Sequence, residues 1–274
     1  MSHNEERENA SGTQVVKSMA CQASGRVSSV GFRFAGDAES LIRPMISADI
    51  QDRVYENAGN APLLDLVPAS GGRALDCGCG AGDNARLLNE RGWRVTGITL
   101  SRGEEASASA QCERVVVADL EEGLSADIGN GYELVLMSHV LEHLANPQRL
   151  LADARRALAA NGVLAVALPN VLVYPNRLRL LLGRFDYSSG GVMDNTHLRF
   201  YTFASGAALL RENGWDVVEA HADGTFPLWK LRRLIPRDWV RRLERWAGHW
   251  RPGLFGIQSL YIARPRIERL EGMR

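Results

Sequence analysis

The sequence has no long apolar run. Its longest uncharged stretch, which ends at Asn176, contains two prolines and three asparagines. A bilayer-spanning helix needs about 20 predominantly apolar residues, so we expect no membrane-spanning segment. The first residues, MSHNEERENASG, also lack the basic stretch followed by an apolar stretch that marks a secretory signal. These absences predict a cytoplasmic protein.

Neither a charge excess nor a disulfide framework is present. The chain has 32 basic and 32 acidic side chains, so a globally basic nucleic-acid binder is excluded and no nucleic-acid partner is expected. Of its four cysteines, Cys77 and Cys79 share one loop, whereas Cys21 and Cys112 stand alone. This usage favours a reducing compartment.

What the sequence does have is a regular alternation of strand-like and helix-like segments. Five short apolar runs follow one another: RALDCG, WRVTGITL, VVVADL, YELVLMSHV and VLAVALPN. Between the first two lies a helix-like segment ended by Gly92, and a later helix begins at Asn146-Pro147 and is expected to end at Asn161-Gly162. The apolar runs are continuous, which is typical of strands covered by helices on both faces. The pattern predicts an α/β fold with a doubly wound parallel sheet.

We divide the 274 residues into three regions. We predict a mobile polar tail over 1–28 and one domain over 29–264, followed by a short tail over 265–274. After Asn170 the alternation stops, and residues 171–200 are interpreted as a lid inserted over the carboxyl edge of the sheet. A helix near 203–213 and the strands WDVVEAHA and LFGIQSLYIAR then complete the sheet.

The strongest local signal is the glycine loop, which we define as residues 76–82, Asp-Cys-Gly-Cys-Gly-Ala-Gly. Its glycines let the backbone approach a ligand at the start of a helix. The spacing is G-x-G-x-G, with Asp83 where the dinucleotide fingerprint requires its third glycine. The preceding carboxylate of Asp76 would repel a pyrophosphate and suits a cationic ligand, which disfavours a nicotinamide-dependent oxidoreductase.

Three segments carry a family resemblance. ALDCGCGAG resembles motif I of the class I S-adenosylmethionine-dependent methyltransferases. MSHVLEHLANPQRLLADARRALAANGVLAVALPN resembles the fourth to fifth strands of the subgroup that includes the ubiquinone-biosynthesis O-methyltransferases. DNTHLRFYT is similar to a segment of related enzymes from bacterial polysaccharide clusters. The resemblance extends over about residues 50–220.

This resemblance implies a Rossmann-like, mostly parallel sheet of seven strands and S-adenosyl-L-methionine as the cofactor. It implies that Asp76 orients the loop and the methionine amino group, and that the glycines pass beneath the cofactor. It places Asp119 and Leu120 beside the adenine, and Met137 and Ser138 beside the methionine moiety. The cofactor-binding positions are therefore Asp76, Gly78, Gly80, Gly82, Thr99, Asp119, Leu120 and Ser138.

Thr99 departs from the family pattern. The family usually ends the second strand with an acidic residue that accepts both ribose hydroxyls, and hydrogen bonds to charged groups are worth about 1.5–3 kcal/mol. A neutral hydroxyl cannot replace such a carboxylate. Glu104 or Glu105 could compensate, or both could be solvated at the start of a helix.

One candidate polar cluster follows the fourth strand. His139, Glu142 and His143 lie at i, i+3 and i+4, so one helix face is expected to carry all three. Some quinol O-methyltransferases of the family bind a divalent ion through E-x-x-E-H here, whereas this chain has histidine first. Two imidazoles and a carboxylate suit a transition metal better than Mg²⁺. Alternatively, His143 packs against the next loop and no metal is bound.

A second cluster lies in the insertion. His197 is the best candidate for a general base, with Asp194 to orient it and His143 as a further catalytic candidate. Alternatively, Asp194, His197 and Arg199 fix the insertion by hydrogen bonds. Candidates for acceptor binding are Asn170, Arg199 and Tyr187, with Tyr55 and Tyr174 as further possible pocket walls.

The resemblance thus predicts methyl transfer to an oxygen of a small or lipid-linked acceptor of sugar or quinol type. A cofactor-binding but inactive scaffold, and a C- or N-methyltransferase of a small metabolite, stay open as alternatives. A fold of this kind hosts many chemistries, and the oligomeric state is also open.

A basic, tryptophan-rich segment lies at 226–252. Residues 230–251 hold eight basic and two acidic side chains, 8 − 2 = +6. Its apolar positions follow helical spacing: Trp239, Val240, Leu243, Trp246, Ala247 and Trp250. Arg241, Arg242 and Arg245 are placed on the other face. Such a helix can pack on the sheet, lie at the inner surface of an anionic membrane, or contact another protein.

Overall fold

A computed structural model describes residues 58–69, 71–224 and 236–267. The tail predicted over 1–28, the candidate Tyr55, residues 226–235 of the basic segment and residues 268–274 lie outside the described residues. Everything below concerns the described part of the chain.

Seven strands form one sheet in the order β3-β2-β1-β4-β5-β7-β6. β7 runs antiparallel to both of its neighbours, and the other pairings are parallel. The predicted Rossmann-like, mostly parallel seven-stranded fold is therefore confirmed. The strands are β1 Gly72–Cys77, β2 Trp93–Thr99, β3 Arg114–Val117, β4 Tyr132–Ser138, β5 Leu158–Pro169, β6 Trp215–Gly224 and β7 Gly256–Pro265.

Both faces of the sheet are buried. In β4, Leu134 and Leu136 belong to one apolar cluster, whereas Val135 and Met137 belong to the other. Because successive strand residues point to opposite faces, this division requires a layer of helices on each side. The strand order reverses between β1 and β4, and ligands of such sheets bind at the carboxyl edge near this reversal.

Helices connect the strands. They are α1 Ala61–Leu64, α2 Asp83–Asn89, α3 Arg102–Ser109, α4 Pro147–Ala157, α5 Tyr174–Leu181, α6 Phe203–Glu212, α7 Arg237–Trp250 and α8 Pro252–Phe255. The predicted end of α4 at Asn161-Gly162 is wrong, because Leu158 already has an extended backbone and pairs with Tyr132. Asn161-Gly162 instead lies where the pairing of β5 with β4 shifts register.

The segment between β5 and α6 departs from simple alternation, as predicted. It carries α5 and a loop, and Asn170 and Tyr201 form an isolated bridge at its two ends. The backbone amides of Leu198 and Arg199 both donate to the carbonyl of Glu142. These bonds attach the segment to the turn that follows β4.

The basic segment does form a helix, α7, but its tryptophans are not its core-facing residues. Ala247 is buried, and Gly248 lies closely against Ala222 of β6. By contrast, the side chains of Trp239, Trp246 and Trp250 are more than half exposed. Among the described residues, no helix combines the length and the apolar character needed to cross a membrane.

Candidate functional site

Asp76 is the most unusual side chain at the carboxyl edge. It is fully buried, and neither carboxylate oxygen has a hydrogen-bond partner among the described residues. Burial raises the pKa of Asp76 from 3.8 to about 7. Buried carboxylates are normally paired, so this one lacks the cationic or hydrogen-bonding partner that its chemistry requires.

The glycines beside Asp76 form a close-fitting loop. Gly78 and Gly82 have φ angles of 80° and 92°, in the left-handed region that favours glycine. A β-carbon at Gly78 would lie 2.6 Å from Val140, and one at Gly82 would lie 3.2 Å from the backbone of Ala108. The loop therefore contacts both the turn after β4 and helix α3, and a side chain at Gly78 or Gly82 would crowd these neighbours.

Thr99 at the end of β2 is joined to a buried carboxylate. Its hydroxyl donates to Glu104 Oε2 over 2.5 Å and accepts from the amide of Ser101 over 3.1 Å. Glu104 is buried, whereas Glu105 is exposed. A hydrogen bond with Cys112, burial and the carboxylates of Asp76 and Glu104 all raise the pKa of the Cys79 thiol. The carboxylates of Asp76 and Glu104 therefore both lie near Cys79 of the glycine loop.

The end of β4 carries a polar network that the sequence did not reveal. Asn60 Nδ2 lies 3.1 Å from Ser138 Oγ and 2.9 Å from Gln258 Oε1. His139 Nε2 lies 3.0 Å from the same Gln258 oxygen, and Gln258 Nε2 donates to Asp223. An isolated glutamine inside the apolar strand GIQSLYIA was the available signal for this network.

The remaining predicted cofactor positions follow the strand ends as expected from the topology. Asp119 caps a short turn by accepting from the amide of Glu121, two residues after β3 ends at Val117. Leu120 packs partly against the core, and Met137 is buried near the end of β4. The roles of these residues in binding the cofactor stay predictions.

The turn after β4 differs from the predicted helix. His139 has a φ of 58°, and only Leu141–His143 form a single 3₁₀ turn, so the expectation of one helix face carrying His139, Glu142 and His143 is wrong. His139 Nδ1 bonds to Glu142 Oε1 over 3.2 Å. His143 instead contacts Thr196 of the insertion.

A different group of three forms instead. Glu142, His143 and His197 bring one ligand-capable atom each to within 4.8 Å of one another. Glu142 is fully buried, and in the described part of the chain its Oε2 atom has no hydrogen-bond partner. The rings of His143 and His197 meet edge to face, with centroids 4.8 Å apart. Such a grouping of a carboxylate oxygen and two ring nitrogens could hold one divalent cation.

Backbone carbonyls set the tautomers of both imidazoles. His197 Nδ1 lies 3.3 Å from the carbonyl of Val192, and His143 Nδ1 lies 3.3 Å from that of Thr196. A carbonyl only accepts, so each Nδ1 carries the hydrogen and each Nε2 keeps its lone pair. Burial is the largest effect on the pKa of His197, and it lowers this pKa. The charges of Glu142 and Asp194 raise the pKa and that of His143 lowers it, so that the pKa stays below its usual value of 6.5.

Asp194 does not bind His197 directly, contrary to the prediction. Its Oδ1 accepts from the amide of Thr196 over 2.8 Å and from the hydroxyl of Thr196 over 2.6 Å. Burial acts to raise the pKa of Asp194, but these bonds outweigh it and hold the pKa below its usual value. Asp194 therefore shapes the loop that presents Thr196 to His143.

Two candidates for acceptor binding already have their polar groups bonded within the chain. Arg199 donates to the carbonyls of Leu144 and Ala145, which attaches the insertion to the turn after β4. Asn170 is buried, and its side-chain Nδ2 donates to the carbonyls of Gly253 and Gly256. The contacts of Arg199 match the alternative that it fixes the insertion by hydrogen bonds.

The third candidate for acceptor binding, Tyr187, has an aromatic environment. Tyr187 is 56% exposed and lies against Phe185 and Phe200, so it can still border a pocket.

Cys77 and Cys79 are buried free thiols, in agreement with a packing role.

A family model described as a methyltransferase domain matches residues 51–220, which is more than half of the chain. The chain belongs to the methyltransferase-domain family. The predicted resemblance to class I S-adenosylmethionine-dependent methyltransferases is thus confirmed. Asp76 without a partner and the tight glycine loop fit the cationic cofactor that this family uses.

Individual relatives are more distant. The chain is 30% identical over 133 residues to the ubiquinone biosynthesis O-methyltransferase of Maricaulis maris, covering 44% of this chain and 48% of the relative. It is 27% identical over 179 residues to the enzyme of the same name from Rickettsia canadensis, covering 62% and 75%. The chain thus spans about half the length of the first of these relatives.

A solved methyltransferase structure from Archaeoglobus fulgidus matches with a TM-score of 0.52 at 18% identity, covering 81% of this chain and 93% of that one. At this identity, the match concerns the fold alone.

Proposed function

We propose that this methyltransferase transfers the methyl group of S-adenosylmethionine to a hydroxyl oxygen of a small or lipid-linked acceptor of sugar or quinol type. The observation that carries the proposal is the fully buried, unpartnered carboxylate of Asp76 beside the glycine loop. A carboxylate in this state favours a cationic ligand, and the donor carries both an ammonium and a sulfonium group.

The second half of the proposal concerns the acceptor. Glu142, His143 and His197 form a proton-accepting centre at the carboxyl edge, and Val140, two residues before Glu142, contacts the glycine loop. In the transfer, the acceptor oxygen forms a bond to the methyl carbon while the sulfur–methyl bond breaks. The hydroxyl proton passes to Nε2 of His197, and S-adenosylhomocysteine leaves.

The experiment has two stages. Calorimetry with S-adenosylhomocysteine measures cofactor binding, and incubation with S-[methyl-³H]adenosylmethionine and cell extract measures transfer into water-soluble and lipid fractions. Binding together with label in a methyl ether, formed from a hydroxyl of the acceptor, supports the proposal. No binding at millimolar ligand overturns it, and binding without any transfer would favour the alternative of a cofactor-binding but inactive scaffold.

Cofactor affinity is expected to depend on pH through Asp76. The pKa of about 7 belongs to the ligand-free protein, and a cationic ligand favours the ionised carboxylate. Below pH 7 the carboxyl group must first lose its proton, so the apparent Kd should rise about tenfold per pH unit. Above about pH 8 the Kd should be constant. Calorimetry from pH 5.5 to 8.5 tests this; a flat profile contradicts it.

We further propose that Glu104 supplies, through Thr99, the acidic function missing from the end of β2. Glu104→Gln keeps the size of the side chain but removes its charge. Since hydrogen bonds to charged groups exceed neutral ones by about 1–1.5 kcal/mol, the Kd for S-adenosylhomocysteine should rise about fivefold to tenfold. Glu105→Gln, on the same helix but exposed, is the matched control and should bind like the parent protein.

A further inference from the structure

The surface of α7 presents aromatic and cationic side chains together. Trp239, Leu243, Trp246 and Trp250 follow i, i+4, i+7 and i+11 spacing, and the three tryptophans are 61%, 54% and 56% exposed. Such residues normally lie inside or at an interface, so this stripe stands out on the described surface.

The tryptophans form an ordered array. The rings of Trp246 and Trp250 stack with centroids 5.4 Å apart and an interplanar angle of 13°. Arg242 lies 6.0 Å from the ring of Trp239, and Arg251 lies 5.2 Å from that of Trp250. We call the set Trp239, Arg242, Trp246, Trp250 and Arg251 the Trp–Arg face.

This face continues towards the insertion. Phe255 of α8 stacks on Trp250 and also lies 6.2 Å from Tyr174, the first residue of α5. Arg177 of α5 donates to the carbonyl of Gly253 in α8. On α5 and just after it, three leucines are exposed: Leu178 by 59%, Leu181 by 84% and Leu182 by 67%.

The same elements reach the carboxyl edge of the sheet. Asn170 follows β5 directly, and its side-chain amide donates to the carbonyls of Gly253, within α8, and Gly256, just after α8. The Trp–Arg face and the leucines of α5 are therefore joined by direct contacts to the strand end that borders the proposed acceptor site.

We propose that the Trp–Arg face together with Leu178, Leu181 and Leu182 docks on an anionic lipid bilayer. Indole rings prefer the headgroup level, leucines insert below it, and arginines pair with anionic headgroups. From Arg237 to Arg251 the sequence has five arginines and two acidic residues, so the helix complements a negative surface. This inference deepens the proposed function and rests on it for the acceptor, which would be lipid-linked and presented at the bilayer.

Vesicle flotation with the full chain tests the docking. The parent protein should float with vesicles containing half phosphatidylglycerol and stay unbound with pure phosphatidylcholine. The bound fraction should fall at least about fivefold in Trp246→Ala/Trp250→Ala, in Arg242→Gln/Arg251→Gln and in Leu181→Ser/Leu182→Ser. Arg86→Gln/Arg114→Gln makes the same charge change near the β3 end of the sheet and should float like the parent.

Several outcomes overturn the docking. These are an unbound parent protein, equal binding to neutral vesicles, or unchanged flotation of the tryptophan variant. A dimer in light scattering that dissociates in the tryptophan variant would assign the face to a second copy of the chain, and also overturns it. Calorimetry with S-adenosylhomocysteine on each variant separates this failure from failure of the proposed function, because the substitutions lie outside the glycine loop.

Discussion

Asp76→Asn should make the ligand-free protein more stable while weakening its hold on the cofactor. The buried carboxylate has a pKa of about 7 instead of 3.8, which corresponds to a cost of about 4 kcal/mol above pH 7. Asparagine removes this charge but leaves a buried amide unpaired, so the net gain should be about 2 kcal/mol. For a domain of this size we expect Tm to rise by about 5 °C at pH 8.

The pH dependence of this gain gives a second check. The folded-state pKa is raised, so Asp76 costs no stability below its unfolded pKa of about 3.8, and its cost grows until the pH passes about 7. The difference in Tm between variant and parent should therefore shrink as the pH falls from 7 towards 4. A gain independent of pH would contradict the assignment of the cost to this carboxylate.

The loss of affinity is the other half of the prediction. Losing a charge-assisted hydrogen bond of about 1.5–3 kcal/mol should raise the Kd for S-adenosylhomocysteine roughly 10-fold to 150-fold. Asp216→Asn is the matched control, since Asp216 is exposed and paired with Arg266 on the surface. It should change Tm and Kd little, because exposed ion pairs contribute about 0–1 kcal/mol. Parent-like binding by Asp76→Asn would remove the basis of the proposed function.

The second large effect is expected at His197. General base catalysis contributes about 10²- to 10⁴-fold, so His197→Ala should lower kcat by at least about 100-fold. The Kd for S-adenosylhomocysteine and the Tm should stay near parental values, because His197 is only partly buried and lies outside the glycine loop. Incorporation of tritiated methyl groups into the acceptor measures the rate.

Two controls separate a base from other roles. His221→Ala removes an exposed imidazole on β6 and should leave kcat unchanged. Added imidazole should restore part of the rate of His197→Ala, which a purely structural role would not allow. EDTA should leave the parent rate unchanged. A rate abolished by EDTA and restored by Zn²⁺ would show that Glu142, His143 and His197 hold a cation, and His197 would not be the base.

Much of the fold could be read from the sequence, because apolar runs and glycines act locally. The five parallel strands, the helix starting at Pro147 and the final strands all depended on such patterns. The end of α4 does not depend on a local pattern. The pairing of Leu158 with Tyr132 is a long-range contact, and it ends the helix before the stop signal at Asn161-Gly162.

The site was predictable only where the chain is regular. The glycine loop follows a strand and precedes a helix, so Asp76 could be placed from spacing. The composition of the polar cluster could not be predicted, because His197 takes the place expected for His139. This depends on the 3₁₀ turn after β4 and on the insertion, which folds back so that Thr196 contacts His143 from 53 residues further along the chain. Gln258 was missed because β7 runs antiparallel and brings a distant residue to the end of β4.

The position of β7 also bears on how the chain acquires this structure during synthesis. β7 is the last strand to be made, yet it lies between β5 and β6. Until Pro265 has left the ribosome, both of those strands keep an open edge, and open edges recruit other chains. Nascent chains arrested before Gly256 should therefore need chaperones and be prone to aggregate.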